Sequence, residues 1–374
     1  MKKFLYDTLL DEENICNLAQ ERKVVEQAIA QKKKLVIYGP RNFGKTSLIK
    51  NVILPKIKSQ HKNSFILFTD LMEVKSIDSI SQRLARSLEQ SFSEAFPAKH
   101  FMDGIKKFLT NLRPQITVDP LNGAPSLTIT SQIAEKTISS EKIFAAISEL
   151  AKEKRAVIVL DEFQDIALVE EAQGLFRNIF QEIKNIPIIV MGSKRHLLAE
   201  ILAKPHAPLA MFGEDLEFRP IDYEEYHAYI LERFNYQKLK LELDASIYLQ
   251  NLANRVPETT NIICAEIMDS NYHKVIGEEE INLAIRNVVE KRQSRFEEYL
   301  SQFSENEQLV STSIAKLKFI KQPNSQSFLQ TVKPTSRMVG IIIKNLLNKS
   351  VLDRNENGYF IADALLAYYL KYHR

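Results

Sequence analysis

One eight-residue stretch decides the fold class: Gly39-Pro40-Arg41-Asn42-Phe43-Gly44-Lys45-Thr46, which fits the phosphate-binding pattern G-x-x-x-x-G-K-[ST]. An apolar run from Leu35 to Tyr38 precedes it, and an amphipathic stretch that opens with Ser47 follows it. A strand before the motif and a helix after it distinguish a true phosphate loop from a chance glycine-containing turn. The stretch therefore predicts a P-loop fold of the α/β class that binds a nucleotide.

Each residue type in this loop serves phosphate binding. Two glycines let the backbone curl so that successive N–H groups point at the β-phosphate, and Lys45 adds a point charge toward the β- and γ-phosphates. The Thr46 hydroxyl is placed to ligate Mg²⁺. We therefore expect the nucleotide to contact Gly39, Pro40, Arg41, Asn42, Phe43, Gly44, Lys45, Thr46 and Ser47.

A second signature supplies acidic residues for the same site. Val157 to Leu160 is an apolar run of the kind that forms a strand buried on both faces of a parallel sheet, and it ends in Asp161-Glu162. Ligands of open α/β sheets lie beyond the carboxyl ends of the strands. We expect Asp161 to hold Mg²⁺ as a Walker B aspartate does, and Glu162 to polarise the water that attacks the γ-phosphate. Many buried strands end in an acidic turn, but downstream of a phosphate loop the pattern indicates Walker B.

The composition is that of an ordinary globular protein. The 374 residues are 45% hydrophobic and 26% charged, which predicts two or three domains. No apolar stretch reaches the length of a membrane span and residues 1–7 lack the apolar region of a signal peptide, so we expect a cytoplasmic protein without a membrane partner. Cys16 and Cys264 lie far apart without C-x-x-C spacing, which favours two inert core thiols over a disulfide framework or a zinc site.

Charge is unevenly distributed along the chain. The net charge is +3, but residues 291–374 contain 13 Lys and Arg against 7 Asp and Glu, a balance of +6. A basic tail on a slightly acidic remainder hints at a polyanionic partner such as duplex DNA. The alternative is that these lysines and arginines serve solubility alone.

Strands alternating with helices predict a three-layer α/β core with a parallel sheet over residues 1–220. Alternating β residues within residues 113–130, around a turn-rich centre at Asp119-Pro120-Leu121-Asn122-Gly123, predict a β-hairpin inserted into this core. The remaining predicted elements are a helix over residues 12–31, strands at 35–38, 64–70, 157–160 and 186–191, and helices at 77–96, at 140–153 and around 175–180.

Two further domains are expected after the core. Short helices over residues 221–290 predict a helical lid. Residues 291–374 predict a winged helix-turn-helix. Its expected elements are three helices, a strand pair and a closing helix: Glu305 to Ile320, Ser325 to Val332, Thr335 to Asn348, residues 351–353, residues 359–361, and Ala364 to Tyr372.

The order of these motifs resembles that of the archaeal-type ATPases, a prokaryotic group allied to the STAND and AAA+ ATPases. The resemblance runs from about Leu18 to the end of the chain and rests on three segments: Gly39-Pro40-Arg41 at the start of the phosphate loop, Asp161-Glu162-Phe163-Gln164, and Gly192-Ser193-Lys194-Arg195. It implies that Ser193 is a sensor which hydrogen-bonds the γ-phosphate or the attacking water, so that Lys45, Glu162 and Ser193 form the catalytic set. The alternative for Ser193 is a helix N-cap.

The sequence departs from the family at its arginine. Many relatives carry an arginine after a proline-leucine-x-x-glycine segment, whereas here Glu214 follows residues 208–213. The γ-phosphate-sensing arginine would then be Arg195, Arg177 or a residue of a neighbouring subunit. Two weaker correspondences are Arg22, a poor match to the family's upstream arginine, and Pro257, which the resemblance places on the adenine. Pro257 could equally be a helix-starting proline.

These patterns predict an ATP-binding, slowly hydrolysing ATPase that uses ATP, ADP and Mg²⁺ and acts as a conformational switch coupled to its winged helix. No guanine-reading N-K-x-D motif occurs, which favours adenine. One alternative is an ATP-dependent DNA-binding protein of a defence or mobile element. Another is a regulator that binds a protein partner through an apolar stripe, which is more often a domain's own core: Ile341, Ile342, Ile343, Leu346 and Leu347. A homo-oligomer is a further open alternative. A small-molecule kinase is disfavoured, because it needs neither Glu162 nor a winged helix.

Overall fold

The computed structural model describes residues 2–96, 98–109, 112, 115–118, 125–129, 139–193, 195–202, 206–270 and 274–374. The chain forms two compact units. One comprises Leu9–Arg219, and the other comprises Met1–Thr8 together with Pro220–Arg374. The predicted division of the second unit into a lid and a winged helix near residue 290 stays a prediction.

The first unit is built on a parallel sheet. Its strands, in chain order, are β1 Lys34–Tyr38, β2 Ser64–Asp70, β3 Gln115–Val118, β4 Pro125–Thr128, β5 Arg155–Asp161, β6 Ile188–Gly192 and β7 Glu214–Glu217. Five of them form one sheet in the order β2-β5-β6-β1-β7, and each pairing is parallel. Because the strands run in the same direction, the residues that follow β1, β5 and β6 lie at one edge of the sheet.

Helices cover both faces of this sheet. They are α1 Ala19–Ala30, α2 Lys45–Ser47 continuing through a π-helical stretch Leu48–Ile53 into α3 Leu54–Gln60, α4 Ile77–Ala95, α5 Ala98–Gly104 with a π-helical stretch Ile105–Leu109, α6 Ser140–Leu150, a 3-10 helix Phe163–Leu168, α7 Ala172–Glu182 and α8 Arg195–Leu202.

Alternation along the strands divides the core into two layers. In β5, Ile158 and Leu160 face the cluster that contains α4, α6 and α7, whereas Val157 and Val159 face the cluster that contains α1 and the helix after the phosphate loop. Successive side chains of a strand point to opposite faces, so a continuous apolar run fills both layers. The predicted three-layer α/β fold is confirmed.

Some details differ from the sequence predictions. The helix expected from residue 12 begins at Ala19, because Asn17 and Leu18 have φ values of 56° and 67° that place them in the left-handed region. The edge strand β7 was not predicted. The strands expected within residues 113–130 are present and pair antiparallel as β3 and β4, whereas the turn predicted at residues 119–123 lies outside the described residues.

The second unit begins with helices and ends in a winged helix. Its elements are α9 Tyr223–Phe234, a 3-10 helix Asn235–Gln237, β8 Lys240–Leu241, α10 Leu243–Leu252, α11 Pro257–Asp269, β9 Val275–Ile276, α12 Glu278–Lys291, α13 Gln293–Ser301, α14 Glu305–Leu317, α15 Gln326–Leu329, α16 Ser336–Asn348, β10 Leu352–Asn355, β11 Gly358–Ile361 and α17 Ala364–Tyr372. The three helices followed by the antiparallel β10–β11 pair confirm the predicted winged helix. Among the described residues, none of the helices is long and apolar enough to cross a membrane.

The amino-terminal segment packs within this second unit. Phe4 is buried, with its ring edge-on to Phe234 at 5.5 Å between centroids and to Tyr229 at 6.2 Å. Asn261 Nδ2 donates to the Leu5 carbonyl at 2.9 Å, and Lys2 pairs with Glu232 at 2.6 Å. Residues 2–8 are therefore packed on this unit through the buried ring of Phe4, although they are distant from it in sequence.

Candidate nucleotide site

The phosphate loop joins β1 to α2 through a tight turn. Asn42 and Gly44 have φ values of 64° and 79°, so the backbone curls at both positions, and Gly44 caps the helix that begins at Lys45. Glycine is required at position 39 for space, since a Cβ there would lie 2.8 Å from both the Cβ and the backbone oxygen of Phe218. Exposed N–H groups at a helix start form an anion-binding site.

Lys45 lies folded over this loop. Its side chain is only 6% exposed, and its ammonium donates to the carbonyls of Gly39 at 2.8 Å and Pro40 at 2.6 Å. Burial lowers the pKa of Lys45 to about 8, while the nearby carboxylates of Glu162 and Asp161 oppose that shift. The predicted phosphate-binding lysine is thus a buried cation held by two neutral acceptors, which an anionic phosphate would replace favourably.

Thr46 and Asp161 meet as the two motifs predict. The Thr46 hydroxyl donates to Asp161 Oδ2 at 2.8 Å, and Asp161 is 6% exposed at the end of β5. Burial raises the pKa of Asp161 to about 6; the Thr46 hydrogen bond opposes this shift and the Glu162 charge adds to it. The Thr46 hydroxyl and the buried Asp161 carboxylate lie side by side, and oxygen ligands of this kind are the ones that Mg²⁺ prefers. The residues present therefore fit Mg²⁺, with Thr46 and Asp161 as its protein ligands.

Glu162 and Ser193 also lie together. The Ser193 hydroxyl donates to Glu162 Oε2 at 3.0 Å, so the residues after β5 and β6 converge on one carboxylate. Glu162 has φ 48° and ψ 38°, a left-handed conformation that a non-glycine residue adopts at an energetic cost. Arg41 approaches Ser193 from the phosphate loop, and its Nε lies 3.4 Å from Ser193 Oγ. The structure thus places Glu162 and Ser193 within hydrogen-bonding reach of one another.

The candidate arginines lie in different parts of the first unit. Arg177 is exposed on α7, and Arg22 pairs with Glu12. The side chain of Arg195 lies outside the described residues. The position at which relatives carry an arginine is occupied by Glu214, which pairs with Lys33 at 2.6 Å.

Pro257 lies in the other unit. It starts α11, and its carbonyl accepts a hydrogen bond from the Tyr226 hydroxyl at 2.8 Å. Its proposed contact with adenine stays a prediction.

Sequence reasoning missed two residues that belong to this site. Gln164 is fully buried and Asp165 is 2% exposed, and both lie in the 3-10 helix directly after Glu162. One signal was a pair of polar residues inside an otherwise apolar segment, Phe163-Gln164-Asp165-Ile166, where the expected environment is a core. Gln164 also ends the Asp161–Gln164 segment that carries the family resemblance, although no role was assigned to it.

Comparison with known families identifies the class. A family model of ATPase domains predominantly from Archaea matches residues 20–204, and a model of a probable winged helix domain matches residues 294–372. Residues 20–204 therefore match an archaeal-type ATPase domain, and a winged helix domain follows it at residues 294–372. No curated protein matches the sequence.

Solved structures share this fold at low identity. A Walker-type ATPase of Pyrococcus abyssi is 16% identical, with 98% of this chain and 99% of that chain covered and a TM-score of 0.65. The Aeropyrum pernix ORC1 protein, solved in complex with DNA, is 15% identical over 98% and 94% of the two chains, with a TM-score of 0.53. The ORC2 protein of the same organism, solved as ADPNP–ADP complexes, is 13% identical over 98% and 94%, with a TM-score of 0.54. At these identities the likeness shows the fold alone.

Proposed function

We propose that this protein binds ATP with Mg²⁺, hydrolyses ATP slowly, and uses the nucleotide state to switch the contacts of its winged helix. The observation that carries the proposal is the convergence of two motifs far apart in sequence. Thr46 and Asp161 share a hydrogen bond of 2.8 Å, and Glu162 and Ser193 share one of 3.0 Å at the same sheet edge. A phosphate loop beside this acidic pair is the arrangement that P-loop ATPases use.

The residues divide the work of ATP hydrolysis. The loop N–H groups and Lys45 would bind the β- and γ-phosphates, the lysine exchanging its two backbone carbonyls for phosphate oxygens. Bound Mg²⁺ would neutralise charge on the phosphates, and Thr46 and Asp161 would hold it. Glu162 would accept a proton from the attacking water, and Ser193 would hold that carboxylate or the γ-phosphate in place.

Slow turnover is favoured by the loss of the expected arginine at one position, with Arg195, Arg177 or a residue of a neighbouring subunit left as its other sources. Where the family resemblance expects an arginine that senses the γ-phosphate, Glu214 begins β7 and pairs with Lys33. An arginine supplied at the γ-phosphate accelerates P-loop hydrolysis by roughly 10³- to 10⁵-fold. Without one in this position, the ATP state should be long-lived, as a switch requires.

The chain connection between the two units supports a coupling of nucleotide binding to the second unit. Strand β7 pairs with β1, the strand that leads into the phosphate loop, and the chain leaves β7 directly for the second unit at Pro220. A shift of β1 and β7 on nucleotide binding would therefore reach the second unit within three residues of Glu217.

Glu162→Gln tests the proposed activity. The variant keeps the size and hydrogen-bonding reach of the side chain but loses the base, so turnover should fall by roughly 10²- to 10⁴-fold while ATP still binds. Phosphate release and calorimetric ATP binding measure the two effects. Glu182→Gln, which changes an exposed glutamate at the end of α7, is the matched control. Parental turnover in Glu162→Gln would contradict the base role of Glu162, and a parent protein without ATP turnover would contradict the proposed activity.

A second function, binding of duplex DNA by the winged helix, is favoured by the surface of α16. Arg337 and Lys344 are exposed on this helix, Lys333 is exposed just before it, and α16 contains no acidic residue. The recognition helix of a helix-turn-helix enters the major groove, where such cations meet phosphates.

The same helix also carries apolar surface. Met338 is 44% exposed and Ile341 is 55% exposed, whereas Ile342, Ile343 and Leu346 are buried as the domain's core. An exposed apolar pair on this face is the feature that a protein partner would use. A measurement of duplex DNA binding at low salt separates the two functions.

A further inference from the structure

Gln164 connects the residues assigned to ATP hydrolysis. It is 0% exposed, and both ends of its amide are used. Nε2 donates to Glu162 Oε2 at 2.5 Å and to Asp165 Oδ1 at 3.2 Å, while Oε1 accepts from the backbone N–H of Ser193 at 3.2 Å. One buried side chain thus touches the proposed base, the backbone of the proposed sensor and a second carboxylate.

The chemistry of these partners fixes the orientation of the amide. Two carboxylate oxygens can only accept from Gln164, and the Ser193 N–H can only donate to it. Rotating the amide by half a turn would place its oxygen against two carboxylates and its NH₂ against a donor. Only a side chain that presents two donors on one side and an acceptor on the other satisfies all three partners.

Asp165 gives this amide a fixed support. Its other oxygen, Oδ2, accepts from the Glu73 backbone N–H at 2.8 Å, and the residue is 2% exposed. The carboxylate is therefore anchored to backbone outside the 3-10 helix. Because Asp165 is held, Gln164 transmits a defined position to Glu162 rather than moving with it.

Gly192 leaves room for the amide. A Cβ at this position of β6 would overlap Gln164 Oε1 and lie 2.6 Å from Leu198 Cδ1. The glutamine amide is thus seated directly against the strand that precedes Ser193. Ser193 completes the arrangement from the other side, since its hydroxyl donates to the same Glu162 oxygen at 3.0 Å.

We propose that Gln164 is a positioning residue, which holds the Glu162 carboxylate against Ser193 in the orientation that serves hydrolysis. This inference rests on the proposed ATPase function. Glu162 needs such a support because its backbone is in the left-handed region and its carboxylate follows the end of β5. Gln164 acts through Glu162 and is not expected to contact the nucleotide.

A double-mutant cycle tests the proposal in the full-length protein. Gln164→Met keeps the volume and removes the amide. It should lower kcat at least tenfold, because small misplacements of catalytic groups have effects of this order. The Kd for a non-hydrolysable ATP analogue and the KM should change less than threefold. In the Glu162→Gln background the same substitution should change the residual kcat less than twofold, since the group it positions is already absent.

Controls separate positioning from loss of stability. Ser140→Ala removes a buried hydrogen bond of 2.8 Å to Ser81 elsewhere in the same unit, and it should lower the melting temperature without lowering kcat. If Gln164→Met does not fold, Gln164→Asn, which keeps the amide but shortens its reach, replaces it in the same cycle.

The outcomes are distinct. Unchanged or increased kcat in the Gln164 variant, or an equal loss of kcat in both backgrounds, overturns the positioning role. Parental turnover in Glu162→Gln overturns the base role of Glu162 and the positioning role with it, whereas a parent protein that does not turn over ATP overturns the proposed ATPase function. A tenfold loss that disappears in the Glu162→Gln background supports both.

Discussion

Replacing Asp161 with asparagine should make the nucleotide-free protein more stable while it removes the response to Mg²⁺. Burial raises the pKa of this carboxyl from 3.8 to about 6, so the folded protein at neutral pH carries a charge that its surroundings disfavour. At 1.36 kcal/mol for each pKa unit, the charged form costs about 3 kcal/mol. Asparagine is neutral and can keep both local hydrogen bonds, accepting from the Glu162 N–H and donating to Thr46.

The sign of the pH dependence follows from the raised pKa. Below pH 3.8 Asp161 is protonated in both states, and its contribution to stability is fully present. That contribution is lost as pH rises through about 6, the pKa in the folded state. The gain of Asp161→Asn over the parent should therefore be small near pH 4.5 and reach its full size, up to about 3 kcal/mol, above pH 7.

Urea unfolding followed by circular dichroism, without nucleotide or metal, measures this gain at pH 4.5 and 7.5. Addition of ADP with Mg²⁺ should then raise the unfolding midpoint of the parent but not that of Asp161→Asn. The matched control is Asp215→Asn, an exposed carboxylate on β7, whose effect should stay within about 0.5 kcal/mol. An Asp161→Asn variant that is less stable than the parent at pH 7.5, or a gain that does not grow with pH, would refute the reasoning.

Three further predictions concern binding and packing. Lys45→Ala should weaken ATP binding at least tenfold, about 1.4 kcal/mol. The control Lys50→Ala, on the exposed side of the same helix, should bind ATP like the parent. If calorimetry gives Lys45→Ala the same ATP affinity as the parent, the phosphate-loop assignment is wrong. Phe4→Ala should destabilise the second unit by about 3 to 5 kcal/mol, seen as faster hydrogen exchange in α9, and unchanged exchange would show that the buried ring contributes little. Lys333→Ala with Arg337→Ala should flatten the log-log salt dependence of duplex DNA binding by up to about two units in fluorescence anisotropy. If the parent does not bind DNA at low salt in either nucleotide state, the winged helix is left with a protein partner.

Much of the fold could be predicted from the sequence because its central strands are apolar on both faces. A run such as Val157 to Leu160 fills both core layers, so its composition alone identifies a central strand. Strand β7 escaped prediction for the opposite reason. Its first two residues, Glu214 and Asp215, are exposed, and the strand is held by backbone pairing with β1 at the sheet edge. An edge strand needs little apolar surface, so composition does not mark it.

The candidate site likewise contains one contact that the sequence could predict and one role that it could not. The contact between Thr46 and Asp161 was predictable, because each motif fixes its residue at the carboxyl end of a parallel strand. The role of Gln164 was not, since its three partners come from separate segments and one of them is a backbone N–H. Buried polar networks depend on tertiary packing, which a sequence pattern two residues long cannot specify.

The position of residues 2–8 has a consequence for synthesis on the ribosome. Phe4 is synthesised 230 residues before its partner Phe234, a delay of roughly 10 to 50 s at common translation rates. During that interval the ATPase unit, residues 9–219, can fold between the two parts of its neighbour. The second unit can bury Phe4 only after α9 has been made, so the Phe4 side chain lacks its native partners throughout that interval.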